Sequence, residues 1–471
     1  MKITLISPSF MKVKTRSVGK LARFFKVPPM GLLNVAAVTP ADIELTIIDE
    51  DFKDIDFDSA PDLVGISAMT ATAPRAYEIA SEFRRKGVPV VLGGPHPSLM
   101  YEEAREFADS VVIGEAEGAW EKLLEDFVKE GRSGLKPRYQ NQSRPDLAAI
   151  PFPRRDLLKS MGNYAFTNLL HVSRGCPYNC SFCSVKHLLG SKPRHRPVSY
   201  IVEQVKAIRK DSLIGKVFIF LDDNIMVNNR YAKELFKELA ALDIMWISQT
   251  SVNSTDDDEL VELAGKSGCL ALFIGLESIS ENSLEEVGKS QNKIDYYEQA
   301  VRKLHRQGIF VEGAFIFGFD SDRKDVFEKT VKFAEKLRLD GVQYSALTPL
   351  PGTDLYETIE SENRFIDRDW SKYDCAQVVF RPLHMSPEEL HAGLSWAYKR
   401  TYSFWGILRR ISSALCDSRI RHFPHLVAFN IGYRSSYKHR FKNARNPNRK
   451  EQKQVSQSVM GLGSGAVSER G

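Results

Sequence analysis

The sequence predicts an α/β protein: two consecutive parallel-sheet units, then a mainly helical region. Three observations carry this. Short apolar runs alternate with segments of helical periodicity from Lys2 to Lys129. A stretch rich in Pro and Gly interrupts them. The alternation then resumes at Leu169 for six more units and fades after Pro351-Gly352. Parallel strands need a long crossover, normally a helix, so repeated strand–helix units of this length indicate parallel sheets.

In the first unit, Lys2–Pro8 is an apolar strand and Gly31–Val38 begins a helix. Ile43–Asp49 and Leu63–Ser67 are strand-like. Arg75–Lys86 has helical spacing, with Tyr77, Ile79, Ala80 and Phe83 on one side. Val88–Leu92 ends at Gly93-Gly94-Pro95, Ser110–Ile113 ends at Gly114, and Trp120–Lys129 is a helix. Such a sheet carries helices on both faces and binds ligands beyond the carboxyl ends of its strands. Residues 132–160 hold Gly134, Pro137, Pro145, Pro151 and Pro153 among many charges and read as a linker.

In the second unit the strands are Leu169–Ser173, Val217–Leu221, Ile244–Ser248, Leu270–Gly275, Ile309–Phe317 and Val342–Leu347. Ile201–Ile208, Tyr231–Leu242 and Val326–Leu337 are among the helices between them. Six units make an open, partial (β/α)6 barrel, with function expected at the carboxyl ends of the strands. The expected domains are residues 1–131, a linker 132–160, the barrel 161–356, a helical region 357–442 and a disordered polar tail 443–471.

The 471 residues suit about three domains. No apolar run reaches the roughly 20 residues of a membrane span. The first strand is too short for a signal peptide, so a cytoplasmic location is expected. The net charge of +5 is too mild to argue for nucleic acid. There is no phosphate-loop pattern. Cys269, Cys375 and Cys416 are scattered and read as packing residues. His305 and His384 have no ligand-spaced partners.

The chemistry is concentrated in His171-Val-Ser-Arg-Gly-Cys176-Pro-Tyr-Asn-Cys180-Ser-Phe-Cys183, a C-x3-C-x2-C spacing directly after the first barrel strand. Three thiolates on one short loop can hold three corners of an iron–sulfur cube and leave the fourth iron open. A structural zinc site is the alternative, but such sites prefer four ligands, and only His187 follows at short range.

C-x3-C-x-aromatic-C at this place resembles the radical S-adenosylmethionine (SAM) superfamily over Leu169–Tyr356. The resemblance implies a [4Fe–4S] cluster on Cys176, Cys180 and Cys183, with SAM chelated at the open iron and cleaved to methionine and a 5′-deoxyadenosyl radical. It also implies a SAM pocket at the strand ends, with Asp222, Asp223 and Asn224 near the amino group. Glu277 would face the ribose, and Ser248 and Asn253 are weaker candidates. For Asp222, Asp223 and Glu277 the plain alternative is helix capping. Phe317-Gly318-Phe319 and Pro349-Leu350-Pro351-Gly352 resemble segments flanking the adenine. Arg194 and Arg196 could neutralise the SAM carboxylate or face solvent.

The first unit resembles the cobalamin-binding, Rossmann-like domain of the class B radical SAM family over Lys2–Gly131. Of that family's pattern, Ser67-Ala68-Met69 and Gly93-Gly94 are present, which would place Ser67, Gly93 and Gly94 at the nucleotide tail. The D-x-H-x-x-G part is absent, so histidine ligation of cobalt is not expected, and His96 reads as a loop residue near the corrin edge. A domain of this fold kept without cobalamin is the alternative.

Together these resemblances imply a cobalamin-dependent radical SAM enzyme, most commonly a C-methyltransferase acting on an unactivated carbon of a hydrophobic or lipid-like substrate. No catalytic side chain is singled out beyond the cluster site. A non-methylating radical enzyme of the same architecture and a non-catalytic iron–sulfur or corrinoid binding protein are the rivals. The expected partners are a small-molecule or lipid substrate and an electron donor such as flavodoxin or ferredoxin, with no nucleic acid.

Between Lys399 and Lys450 there are thirteen Lys or Arg and one acid, Asp417. Within Tyr402–Cys416, helical spacing puts Phe404, Ile407, Leu408, Ile411 and Leu415 on one face, with Arg409 and Arg410 toward the other. Such a helix either packs its apolar face on the barrel or lies on the inner face of an anionic membrane.

Overall fold

The computed structural model describes residues 1–10, 26–162, 164–211, 216–415 and 417–443. The expected tail beyond Asn443, and Cys416, lie outside these residues. The chain forms two six-stranded parallel sheets, each with its own apolar core, followed by helices.

The first sheet contains β1 (Lys2–Ser7), β2 (Glu44–Asp49), β3 (Leu63–Ser67), β4 (Val90–Gly93), β5 (Ser110–Ile113) and β6 (Arg138–Gln140), in the order β2-β1-β3-β4-β5-β6. The chain winds outward from β1 in one direction, then from β3 in the other. This creates a switch point at the carboxyl ends of β1 and β3, where such sheets open a ligand crevice. β6 lies within the segment read as a linker. Its partner register, Val111 to Arg138 through Ile113 to Gln140, extends the sheet by one strand. Charge and Pro content hid it, because an edge strand of three residues carries little apolar signal.

The second sheet runs β14-β13-β12-β11-β10-β7. Its members are β7 (Leu169–Leu170), β10 (Val217–Phe220), β11 (Met245–Thr250), β12 (Cys269–Glu277), β13 (Phe310–Phe317) and β14 (Gly341–Ala346). Each strand is added on the same side of its predecessor, so the crossover helices cover one face and the sheet curls into a partial barrel. Phe218, Phe220, Trp246, Leu272, Val311, Val342 and Tyr344 face those helices and form the largest core.

The first barrel strand is broken where one continuous run was expected. β7 stops at Leu170, and β8 (Ser173–Arg174) pairs antiparallel with β9 (Arg194–His195) as a separate ribbon. The break is held by Asp222, whose carboxylate accepts from Val172 N at 3.3 Å, from Ser173 Oγ at 2.6 Å and from Ser173 N.

The helical region begins with Pro387–Thr401, capped by Ser386 in a capping box with Glu389. Tyr398 and Tyr402 on this helix bond to the backbone of Tyr344 and Val342. The helix Phe423–Asn443 then crosses the amino-terminal end of the barrel. Asn430 ties it there, donating to Asp340 O at 3.1 Å. Beside it, fully buried Arg419 pairs with Asp340 and Asp417, and His305 bonds Asp340 at 2.9 Å. His305, without ligand-spaced partners in the sequence, is therefore part of a buried ion network. Among the described residues, no helix is long and apolar enough to cross a membrane.

Candidate active site

Cys176, Cys180 and Cys183 lie between β8 and the helix Val185–Leu189 and form no disulfide. Their loop is fastened in part by backbone bonds. Cys176 N donates to Gly190 O at 3.2 Å, Cys183 N to Cys180 O at 3.0 Å, and Ser181 N to Val287 O at 3.0 Å. Gly175 sits at φ +94°, and a Cβ there would come within 2.9 Å of Gly190 O, so only glycine fits this turn. The three thiols are half-buried, and burial pushes each of them up. Cation or metal coordination is what would hold them as thiolates. Among the described residues no three His, Cys, Asp or Glu converge as ligands of one metal ion. Three thiols spread round a loop fit the wider cube of a cluster better than a single zinc.

Charged groups of both signs sit beside the thiols. Asp223, largely buried, accepts from Gly175 N at 3.2 Å, and burial raises its carboxyl. Lys289 is buried and pairs with Glu277, whose backbone is held at φ +64°. The pair can form because residue 275 is glycine, since a Cβ there would lie 2.8 Å from Lys289 Nζ. Against burial, which lowers it, the Lys289 ammonium is held up first by Glu277 and then by the Cys180 and Cys183 sulfurs in their thiolate form.

The other residues named from the sequence have structural work. Asp222 is fully buried on the backbone of Val172 and Ser173, and burial raises its carboxyl to about 7. Asn224 bonds Ser251 Oγ and Thr250 Oγ1, and Ser248 Oγ donates to Phe220 O. Asn253 donates to the Tyr178 hydroxyl at 2.7 Å, bracing the cysteine loop. Arg194 pairs with Glu115, and Arg196 donates to Leu147 O and Ile150 O, so both are engaged away from the thiols.

Ser67, Gly93 and Gly94 are together at the switch point of the first sheet. They line a cavity of about 500 Å³ that also takes in Gly114, Glu115 and Glu117 and, from the barrel side, His171, Arg174 and Leu188. A Cβ at Gly93 would meet only Val112, at ordinary contact distance. At Gly94, with φ +92°, it would lie 2.7 Å from Ser67 Oγ. Gly93 is therefore bare toward the cavity, and Gly94 is glycine for the backbone's sake. His96 is not at this cavity. It is fully buried under the helix Pro95–Leu99, 3.4 Å from Glu103 and edge-on to Trp370. The histidine that reaches the cavity is His171. Burial, with Arg174 and Arg196 nearby, lowers it to about 3, so its imidazole is neutral.

The two halves are joined at this cavity by Arg174, which donates to Glu117 and Glu115 across the domain boundary. Sequence reasoning missed Arg174, Lys289 and His171. Their partners lie at separations in sequence that no local pattern reveals.

The sequence signature of the radical SAM superfamily matches residues 170–334, and that of the B12 binding domain matches residues 17–124. The bacteriochlorophyllide d C-12(1)-methyltransferase of Chlorobaculum tepidum is 32% identical over 390 residues, covering 81% of this chain and 84% of the relative. This chain belongs to the class B, cobalamin-dependent radical SAM family. The hopanoid C-2 methylase of Rhodopseudomonas palustris is 25% identical over 352 residues, 73% of this chain and 66% of that protein. Among solved structures, the cobalamin-dependent radical SAM enzyme OxsB with aqua-cobalamin bound superposes with a TM-score of 0.66 at 17% identity, over 98% of this chain and 75% of that one. That likeness establishes the shared fold. As a class B protein the chain is an enzyme, a radical SAM methyltransferase that uses a [4Fe–4S] cluster, SAM and cobalamin. The non-catalytic alternative is set aside by this membership.

Proposed function

We propose that the protein methylates an unactivated carbon of an apolar, polycyclic or lipid-like substrate, with Cys176, Cys180 and Cys183 holding the cluster and the Ser67–Gly93–Gly94 edge taking cobalamin. The observation that carries this reading is the single cavity walled on one side by Ser67 and Gly93 and on the other by His171 and Arg174, two residues before Cys176. It puts the candidate corrinoid edge next to the cysteine loop. The relatives named above act on a bacteriochlorophyllide and a hopanoid, both large and mostly apolar.

When bound, the cofactors supply the electron, the abstracting radical and the methyl group. The chain's own residues bind and orient. Asp223 and Lys289 offer one charge of each sign beside the thiols, which suits the zwitterionic amino-acid end of SAM. Asp222, Asn224 and Ser248 hold the strand ends around Asp223. Neutral His171 brings no positive charge to the cavity wall, and the Arg174–Glu117 pair joins the two domains beside it. A dry, closed site protects a radical from side reactions. A low-potential donor of the flavodoxin or ferredoxin type is the partner this chemistry requires.

Contact with an anionic membrane through the helix Phe404–Ala414 is part of the same reading. Phe404 is 62% and Trp405 70% exposed, while the buried side of that helix is Gly406, Arg410 and Ala414. The apolar end of the helix thus faces outward.

Reductively activated, reconstituted protein supplied with trideuteromethyl-labelled SAM and a bacteriochlorophyllide or hopanoid acceptor tests the reaction. A product heavier by the labelled methyl group, formed with 5′-deoxyadenosine, is the expected result. Magnesium-protoporphyrin IX monomethyl ester cyclases share 26% identity with this chain. A product altered in mass without label would place the protein with a non-methylating chemistry of that kind.

A further inference from the structure

The barrel has a second cavity, of about 510 Å³, at its amino-terminal end and opposite the cysteine loop. Its walls are the inward-facing residues of consecutive strands: Ile219, Ile247, Ala271, Phe273, Glu312 and Gln343. Its floor is the helix Phe423–Asn443. Inner-face positions along β10, β11 and β12 all retain exposure, whereas their neighbours facing the helices are buried. On β12 this pattern continues from Ala271 through Phe273 to Gly275, the glycine beside the Glu277–Lys289 pair. The cavity reaches up the strand as far as Phe273, two residues below the glycine beside that pair. The space opens to solvent beside the exposed His425 and Ala428, so a molecule can enter it from outside. It lies within the roughly 300–1,000 Å³ of small-molecule sites.

The lower lumen is mostly apolar; of its polar lining, Asp340 is held by Arg419 and His305 and Tyr398 by the Tyr344 backbone, while His425 and Ser435 lie on the floor helix. The Glu312 side chain faces the cavity and accepts from the Tyr433 hydroxyl, which also lies 3.3 Å from Gln343 Oε1. Burial raises the Glu312 carboxyl to about 7. The floor helix opposes the sheet with apolar Leu426 and Phe429 at most of its contacts. Here Tyr433, stacked on Tyr402 at 5.3 Å, instead brings a hydroxyl to a carboxyl in the floor. Gly341 lets the floor come this close, because a Cβ there would lie 2.3 Å from the Phe429 ring.

We propose that the lower lumen binds the far end of an apolar substrate, and that Glu312, Tyr433 and Gln343 recognise a hydroxyl or carbonyl group on that end. This rests on the reading of the protein as an enzyme of apolar substrates and adds where, and by what group, such a molecule is held. Glu312 and Tyr433 are specificity residues here, since the reacting carbon would lie at the other end of the lumen.

The test is equilibrium binding of two fluorescent probes, 1-pyrenemethanol and 1-methylpyrene, to the full-length protein loaded with cluster and cobalamin. Wild type should bind the alcohol about fivefold more tightly than the hydrocarbon. Tyr433→Phe and Glu312→Ala should bring the two affinities together. Ala271→Trp, which fills the lumen, should weaken both probes by at least about tenfold. Iron and corrinoid content and the unfolding midpoint report folding for each variant. Tyr433→Phe removes one oxygen only and keeps the test usable should Glu312→Ala fail to fold. Equal affinity of wild type for both probes, or unchanged binding to Ala271→Trp, would overturn the proposal. Because no turnover is measured, failure of methyl transfer leaves these binding results standing, and failure of binding leaves the methyl-transfer assay standing.

Discussion

Arg174 and Glu117 meet across the boundary between the two domains, with Arg174 Nη2 donating to Glu117 Oε1 at 2.6 Å. Both are buried, and Glu115 accepts from the same guanidinium at 2.6 Å. Arg174 stands two residues before Cys176, so one fork of hydrogen bonds fixes the start of the cysteine loop relative to the wall of the cavity lined by Ser67 and Gly93. A buried bidentate pair holds geometry more firmly than a surface ion pair.

Arg174→Lys should therefore separate the domains' registers while leaving each core intact. Removing a partner from a buried pair costs about 3–5 kcal/mol. Lysine keeps the charge and loses the fork, so a smaller loss, on the order of 1–3 kcal/mol, is expected. Denaturant unfolding measures it. Coupled methyl transfer should fall more than uncoupled 5′-deoxyadenosine formation, because only the former needs both domains aligned. Equal loss of both would refute an aligning role.

Replacing Cys176, Cys180 or Cys183 singly with alanine should abolish the [4Fe–4S] absorbance and SAM cleavage and leave the circular dichroism unchanged. The loop is tied by backbone bonds to Gly190 and Val287 that do not involve the thiols. Cys269→Ala should keep the cluster, since Cys269 is buried in the barrel core. Its cost is packing alone.

Gly93 and Gly94 should behave differently although they are adjacent. A leucine at Gly93 meets no close backbone and projects toward the cavity, so corrinoid content should drop while iron content and unfolding midpoint hold. Alanine at Gly94 is forced into φ +92° against Ser67 and Ala68 and should destabilise the first domain by roughly 1–3 kcal/mol. Corrinoid-to-iron ratio and thermal unfolding together distinguish the two. A Gly93→Leu protein with full corrinoid content would move the cobalamin site elsewhere.

Asp222 gives a pH signature. Its folded carboxyl titrates at about 7, above the ordinary value of 3.8, chiefly through burial. A raised folded value means the folded state holds the proton more tightly than the unfolded chain. The stability it contributes is full below about pH 4 and is lost as pH rises through about 7. Wild type should lose denaturant resistance over that window. Asp222→Asn should show a shallower slope, the remainder coming from other buried carboxyls such as Glu312 and Asp322, and, with an amide set against the Val172 N–H, be less stable at low pH by about 1–3 kcal/mol. Parallel pH profiles for the two proteins would show that Asp222 does not titrate in this range.

The strands and the cysteine triplet were legible because both are local signals: apolar runs of a few residues and thiols at fixed spacing. The places of Ser67 and Gly93 at strand ends, with Gly94 just beyond, were legible for the same reason. What local pattern could not carry was pairing at a distance. Asp222 reads as a strand-end carboxylate free to meet SAM, yet its partners, Val172 and Ser173, are about fifty residues upstream. Arg174 and Glu117 are 57 residues apart. His96 reads as a loop residue near a cofactor, but Trp370, reaching over from far along the chain, helps to bury it. β6 escaped because three residues with charged neighbours give no periodicity to detect.

The helix Phe404–Ala414 shows how one sequence pattern leaves its own orientation open. The spacing put Phe404, Ile407, Leu408, Ile411 and Leu415 on one face without saying whether that face looks in or out. A sharp corner divides it: Ile407 packs against the barrel core and Ile411 is half-buried, while the start of the helix turns outward. Gly406 is pressed against Thr401 O, where a Cβ would lie at 2.4 Å, so this side of the first turn is inward. Arg410 then turns in to Asn430 at 2.9 Å, and Phe404, Trp405 and Leu408 are left exposed at 62%, 70% and 45%. Lys399 and Arg400 are exposed just before them. Aromatic side chains beside basic ones favour the interface of an anionic bilayer, with each basic residue adding about 1 kcal/mol near the surface. Intact protein should co-sediment with vesicles containing phosphatidylglycerol, less so as salt rises. Phe404→Ser with Trp405→Ser should weaken binding by roughly tenfold or more, since each removes an exposed ring and no buried contact. Truncation at Lys399 is a poorer test, because it also removes the floor of the barrel. Unchanged sedimentation of the double variant at low salt, with cluster and corrinoid content intact, would show that these side chains make no membrane contact.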